Sequence, residues 1–204
     1  TTPSGTTYEI DMRLRPNGAS GLLVSSLQAF ATYQNEQAWV WEHQALVRSR
    51  AVSGDKSVAA GFGDIRTEII SKRRDARELR DEVIKMRSKM RTALDKSSAD
   101  LFDLKQGEGG ITDIEFMVQY LILREAHHHQ ELCRFSDNSR LLQSLEDEGL
   151  VDMAWRERLS GIYRVLRAAH HRLALQEKPG VVKASELREE RSIVIEAWQS
   201  LMMQ

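Results

Sequence analysis

Four charged side chains recur at every second position near the start of the chain. Glu9, Asp11, Arg13 and Arg15 alternate with Tyr8, Ile10, Met12 and Leu14, and Pro16 closes the run. Strict alternation of apolar and charged residues marks a half-buried strand, whose successive side chains point to opposite faces. The pattern therefore sets two carboxylates and two guanidiniums in one row. Carboxylates on a rigid element hold divalent cations and guanidinium forks match phosphate oxygens, so the row suits a metal and a polyphosphate together. Asp11 is the first candidate for catalysis and for metal ligation, with Glu9 beside it. The same row also reads as an exposed strand face whose charges compensate one another.

Two further segments carry candidates. In Trp41-Glu42-His43-Gln44-Ala45-Leu46-Val47-Arg48-Ser49-Arg50, helical spacing brings Glu42 and Arg48 near one face, as site support or as an internal ion pair. Between Lys105 and Glu115, the run Gly107-Glu108-Gly109-Gly110 precedes a helix start that Thr112 and Glu115 are expected to cap. Such a start offers backbone N–H groups and a helix dipole to an anion. The Gly-x-x-x-x-Gly-Lys-[Ser/Thr] spacing of a phosphate-binding loop is absent. Asp113 and Glu115 diverge by about 200° around a helix, so they cannot share one ion, and ion pairs with arginines are their competing role. Glu42, Arg48, Lys105, Asp113 and Glu115 are supporting candidates. His127-His128-His129 lacks ligand spacing and cysteine partners and reads as a solvated loop; Cys133 reads as a small buried apolar residue.

Elements must hold these residues in place. After the strand, Asn17-Gly18-Ala19-Ser20-Gly21 turns the chain toward Leu22-Leu23-Val24, the expected second arm of a hairpin. Ser25 and Gln28 predict a capping box, and helices are expected over 38–52, 55–72, 76–95, 112–124, 138–148, 152–175 and 185–203. The clearest stripe is Leu79, Val83, Met86, Met90 and Leu94. Phe102 to Lys105 is a short extended piece, and no further strand is expected. The fold class is α+β and mostly α. Residues 1–53 form a small α/β portion that looks incomplete, because an isolated hairpin is marginal in water. Residues 54–204 form a helical portion.

Composition narrows the partners. With 29 Lys and Arg against 30 Asp and Glu, the net charge of −1 gives no general attraction to nucleic acid or anionic membrane. The cluster Lys72-Arg73-Arg74 with Arg77 and Arg80 is interleaved with acids and lacks an aromatic platform. No apolar run approaches the length of a membrane span. One cysteine excludes an internal disulfide and fits a reducing compartment, so a soluble cytoplasmic chain is expected.

Three segments in order, Tyr-Glu-Ile-Asp-Met-Arg-Leu-Arg-Pro from residue 8, Trp-Glu-His-Gln-Ala-Leu-Val-Arg-Ser-Arg from residue 41 and Gly-Gly-Ile-Thr-Asp-Ile-Glu-Phe from residue 109, resemble the glutamine synthetase adenylyltransferase family. The resemblance continues through Ser136-Asp137-Asn138 and His171-Arg172-Leu173-Ala174-Leu175-Gln176, and is narrowest to the C-terminal, adenylylating domain of that bifunctional enzyme. It implies a short β-hairpin remnant of a polymerase-β-type nucleotidyltransferase core, then a helical bundle shared with uridylyltransferases of nitrogen signalling. It implies ATP as substrate, Mg2+ as cofactor and a tyrosine of glutamine synthetase as acceptor. Glutamine and the PII signalling protein are the implied effectors. Asp11 matches the third catalytic carboxylate, and Arg13 and Arg15 match positions that face the triphosphate. The first two carboxylates, an Asp-x-Asp, have no counterpart in these residues and are expected upstream, so the chain alone is expected to be inactive. The competing reading is a helical interaction module without catalysis.

Overall fold

The apolar stripes fold as helices packed around one that is apolar on nearly every side. The computed structural model describes residues 15–203; the predicted strand Tyr8 to Leu14, and with it Glu9, Asp11 and Arg13, lies outside the described residues. In chain order the elements are α1 (Leu27–Glu36), α2 (Val40–Val47), α3 (Lys56–Ile70), α4 (Ala76–Leu94), β1 (Leu101–Asp103) and α5 (Ile111–Glu125). They continue with α6 (Asn138–Asp147), α7 (Met153–Ala174), β2 (Val181–Lys183) and α8 (Arg188–Met202), and short 3-10 turns cover Gly18–Ser20 and Gln130–Cys133. A mostly α fold with a small β component is what the sequence predicts.

The starts of these helices are chemically explicit. Ser26, Asp55, Asp75, Asp137 and Asp152 each accept a backbone N–H from the first turn of the helix that follows. Such caps satisfy donors that have no partner inside the helix. The cap of α1 is Ser26, one residue beyond the predicted Ser25.

Helix α5 forms the centre. Every residue from Ile111 to Leu123 except Glu115 is buried, and α2, α4, α6, α7 and α8 pack around it. A helix apolar all round has no solvent face and must be enclosed. On α4, Leu79 and Val83 are buried and Met86 and Met90 partly so, whereas Leu94 is 51% exposed. Arg87 shares the inner face of α4 and is 1% exposed.

Two predictions about strands are corrected. Leu22, Leu23 and Val24 form no strand and are 81%, 65% and 82% exposed, so the expected second hairpin arm is absent there. An apolar run pairs only when a partner strand offers its backbone, and none does so among the described residues. The sheet instead joins β1 and β2, antiparallel, with Phe102 opposite Val182. Phe102 is buried beneath the Arg191 guanidinium, 3.9 Å from its ring centre. This small sheet anchors the glycine loop that leads into α5. Gly109 has φ +80°, and a Cβ there would meet the Arg191 carbonyl at 2.7 Å, so the close approach of α8 requires glycine.

One buried cation fixes the end of α2. Arg66 of α3 donates to the carbonyls of Leu46 at 3.1 Å, Val47 at 2.8 Å and Phe135 at 2.9 Å, and also to that of Cys133. A guanidinium suits this place, since it meets exposed carbonyls at two helical C-termini and supplies five donors. Burial pulls the Arg66 pKa below its ordinary value.

Candidate functional site

Arg48 is the residue immediately after α2, and its placement follows from the Arg66 clamp on Leu46 and Val47. Because it is the helix cap, it turns away from the helix instead of stacking on Glu42. Its Nη1 pairs with Glu115 Oε1 of α5 at 2.9 Å and donates to Asn138 Oδ1 of α6 at 3.3 Å, while Nε donates to the Ser136 carbonyl at 3.1 Å. Burial works against the Arg48 charge, but Glu115 and the Tyr163 hydroxyl outweigh it and hold the guanidinium pKa above its ordinary value.

The network continues onto α7. Tyr163 donates its hydroxyl hydrogen to Glu115 Oε1 at 2.8 Å and accepts from Arg167 Nη1 at 3.3 Å. Burial, then the neighbouring Glu115 carboxylate, raises the Tyr163 pKa. Arg167 Nη2 lies 3.1 Å from His171 Nε2. A guanidinium only donates, so in this hydrogen bond the His171 nitrogen is the acceptor. Arg48, Asp137, Asn138, Ser139, Tyr163, Arg164, Arg167 and His171 line one open cleft of ≈ 440 Å³. The cleft thus gathers residues from three separate sequence segments, those around residues 41–50, 136–138 and 171–176, while Glu115 of a fourth, 109–116, holds two of its lining residues, Arg48 and Tyr163.

The other sequence candidates sit elsewhere. Glu42 turns back on its own helix, accepting from Trp39 N at 2.9 Å and from the Tyr33 hydroxyl at 2.8 Å, and so forms no ion pair with Arg48. Arg15 is half-buried and its Nε donates to the Gly21 carbonyl at 3.1 Å. Lys105 is exposed, and its backbone N–H donates to Asp103 Oδ1. Asp113 is 1% exposed and bonds Arg87 Nε at 2.6 Å, Arg91 Nη2 at 3.1 Å and Gly109 N at 2.8 Å.

The start of α5 also differs from expectation. Gly110, not Thr112, is its cap, and Glu115 faces Arg48. The N–H groups of Ile111 and Thr112 donate to the carbonyls of Leu104 and Lys105, and that of Asp113 to Gly110. With these donors occupied, the loop presents no open anion cradle. Among the described residues, no three or more His, Cys, Asp or Glu side chains gather as a metal site. His129 bonds Glu148 at 2.7 Å, the His127 and His128 rings meet at a tilt of 42°, and Cys133 is buried and unbridged. No helix among the described residues is long and apolar enough to cross a membrane.

A helical bundle that brings three motif segments into one basic cleft can be set beside known proteins. The glutamate-ammonia ligase adenylyltransferase family model matches residues 1–65, and the GlnD PII-uridylyltransferase model matches residues 72–179. The chain belongs to the glutamine synthetase adenylyltransferase family, and its helical portion to the domain shared with the uridylyltransferase model. The bifunctional glutamine synthetase adenylyltransferase/adenylyl-removing enzyme of Nitrosococcus oceani is 50% identical over 98% of the chain, and that of Hahella chejuensis 49% over 98%. The protein of the same name from Pseudomonas aeruginosa is 49% identical over 99%. The chain spans 21%, 21% and 22% of these three relatives' lengths, about a fifth.

Proposed function

We propose that this chain is part of an enzyme that transfers AMP from ATP to a tyrosine hydroxyl of glutamine synthetase, as part of the C-terminal, adenylylating domain of a longer protein. Residues 1–53 are the end of the nucleotidyltransferase core and residues 54–204 the helical domain. The observation that carries the reading is the convergence of three motif segments on the cleft of Arg48, Asn138 and His171, with Glu115 of a fourth paired to Arg48. The names of the half-identical relatives support the reaction and the acceptor.

In this reading the acceptor tyrosine oxygen attacks the α-phosphorus of ATP in line. A new O–P bond forms, the bond to the β-phosphate oxygen breaks, and pyrophosphate leaves. Asp11 takes up the tyrosine proton and is the chain's ligand for Mg2+, while Arg13 and Arg15 face the triphosphate. Glu42, Arg48, Lys105, Asp113 and Glu115 support the site by holding the helical portion in shape. That portion docks glutamine synthetase or reads glutamine and the PII protein. The reaction belongs in the cytoplasm, where all of these partners meet.

The 204 residues contain no Asp-x-Asp, so they offer one of the three carboxylates that the reaction needs. Incubating them with α-labelled ATP, Mg2+ and glutamine synthetase should give no labelled acceptor, while the longer protein labels it. Labelling by the 204 residues alone would overturn the single-carboxylate argument. No labelling by the longer protein would overturn the function.

A further inference from the structure

We propose that the cleft between α2, α6 and α7 binds a phosphoryl dianion, either free phosphate or pyrophosphate or the tail of a nucleotide. The inference rests on the assignment of the cleft as the functional site, but not on AMP transfer.

The first argument is the donor set. Arg164 and Arg167 form no ion pair among the described residues, and both line the cleft. Arg164 bonds only the Ser160 carbonyl, at 3.3 Å. Arg167 is held by the Tyr163 hydroxyl and by His171; neither is a carboxylate, so they fix its direction and leave its charge uncompensated. Glu115 compensates Arg48. Asp137 is turned toward Arg140, whose Nε and N–H both bond it. The wall of the cleft therefore presents two net positive charges.

The second argument is independent of charge. Asn138 is 1% exposed and lines the cleft. Its Oδ1 accepts from Arg48, which fixes the amide orientation and makes Nδ2 the remaining donor. That Nδ2 is buried and has no hydrogen-bond partner among the described residues. Buried amides almost always have partners, so an oriented, unmet donor on a residue that shares the cleft lining with two uncompensated guanidiniums calls for an acceptor-rich ligand. Asn138 is also the first residue of α6, where the helix dipole favours a negative charge. A cation is disfavoured, because the one carboxylate in the lining, Asp137, is already paired with Arg140. A carboxylate monoanion leaves one of the two charges unmet, whereas a phosphoryl dianion meets both.

The test is calorimetric titration of the intact 204-residue chain at low salt with inorganic phosphate, pyrophosphate and ATP, with acetate as the monoanion control. Phosphoryl ligands should bind, acetate should not, and added salt should weaken binding. Binding of inorganic phosphate identifies the free anion as sufficient; binding of pyrophosphate and ATP without phosphate identifies a diphosphate tail. Arg164→Gln and Arg167→Gln should each weaken affinity about tenfold. Asn138→Asp keeps an acceptor for Arg48 but places negative charge at the open donor, and should abolish binding. Glu115→Gln releases the Arg48 charge and should tighten it several-fold. Arg158→Gln, in a different cleft between α7 and α8, should change nothing. Circular dichroism of each variant reports the fold, and exposed Arg164 can change without unfolding the chain. No binding at millimolar ligand, or binding indifferent to Arg164→Gln and Glu115→Gln, overturns the proposal. Phosphate binding is read without turnover, so AMP transfer by the longer protein without binding here sinks this inference alone.

Discussion

Replacing Asp113 by alanine should destabilise the helical bundle by about 3–5 kcal/mol, the range for removing one partner of a buried ion pair. The size follows from what is left behind. Arg87 is 1% exposed and would keep its charge with only the Gln106 carbonyl at 2.7 Å and side-chain oxygen at 3.3 Å. The Gly109 N–H would lose its acceptor as well, in a loop where close approach to α8 already requires glycine. Arg91 contributes less, because it is about a third exposed and solvent screens its share. Since small domains are stable by about 5–15 kcal/mol in total, the variant should sit near the edge of folding.

The matched control is a double substitution, Arg87→Met with Asp113→Leu. Removing both charges together abandons no buried ion, so the double variant should be more stable than Asp113→Ala. Urea unfolding followed by circular dichroism decides, read as a shift in midpoint at constant slope. A loss under about 1 kcal/mol for Asp113→Ala would show that Arg87 finds water or another partner, and that the pair does not organise the start of α5.

The helices were legible because burial writes itself at helical spacing, and α4, α6 and α7 lie within two residues of their expected limits. The sheet was not. Val181 to Lys183 is only three residues long, too short for alternation to register, and β1 lies nearly eighty residues away from it in the chain. Leu22 to Val24 misled for the converse reason, since local apolarity carries no information about whether a partner strand exists. The cleft shows the same limit more sharply. Arg48 and Glu115 were both visible as candidates, but nothing local says that residue 48 meets residue 115 and not residue 42. What decided it was the end of α2 after Val47, fixed by Arg66, whose bonds go to carbonyls that no side-chain pattern reveals. Tyr163, Arg164 and Arg167 went unnoticed because polar residues on a long amphipathic helix look like its solvent face. The buried amide of Asn138 was invisible for want of the fold, although Ser136-Asp137-Asn138 was already marked by family resemblance.

In the longer protein, Asp11→Asn should lower AMP transfer about 100-fold or more, the lower end of what a positioned proton acceptor contributes. The substitution is nearly isosteric and leaves the alternation of Tyr8, Ile10, Met12 and Leu14 in the sequence untouched. What it removes is the negative charge that both proton uptake and cation binding need. Glu9→Gln is the internal comparison. It takes one carboxylate from the same predicted row, two positions earlier, and leaves Asp11 intact. If the row acts only as general electrostatics, the two variants should fall together; if Asp11 acts specifically, Glu9→Gln should lose much less. Circular dichroism and urea unfolding of the variant report whether it is folded. Near-normal transfer by a folded Asp11→Asn variant would remove Asp11 from the chemistry and leave the alternating segment as a row of compensating charges.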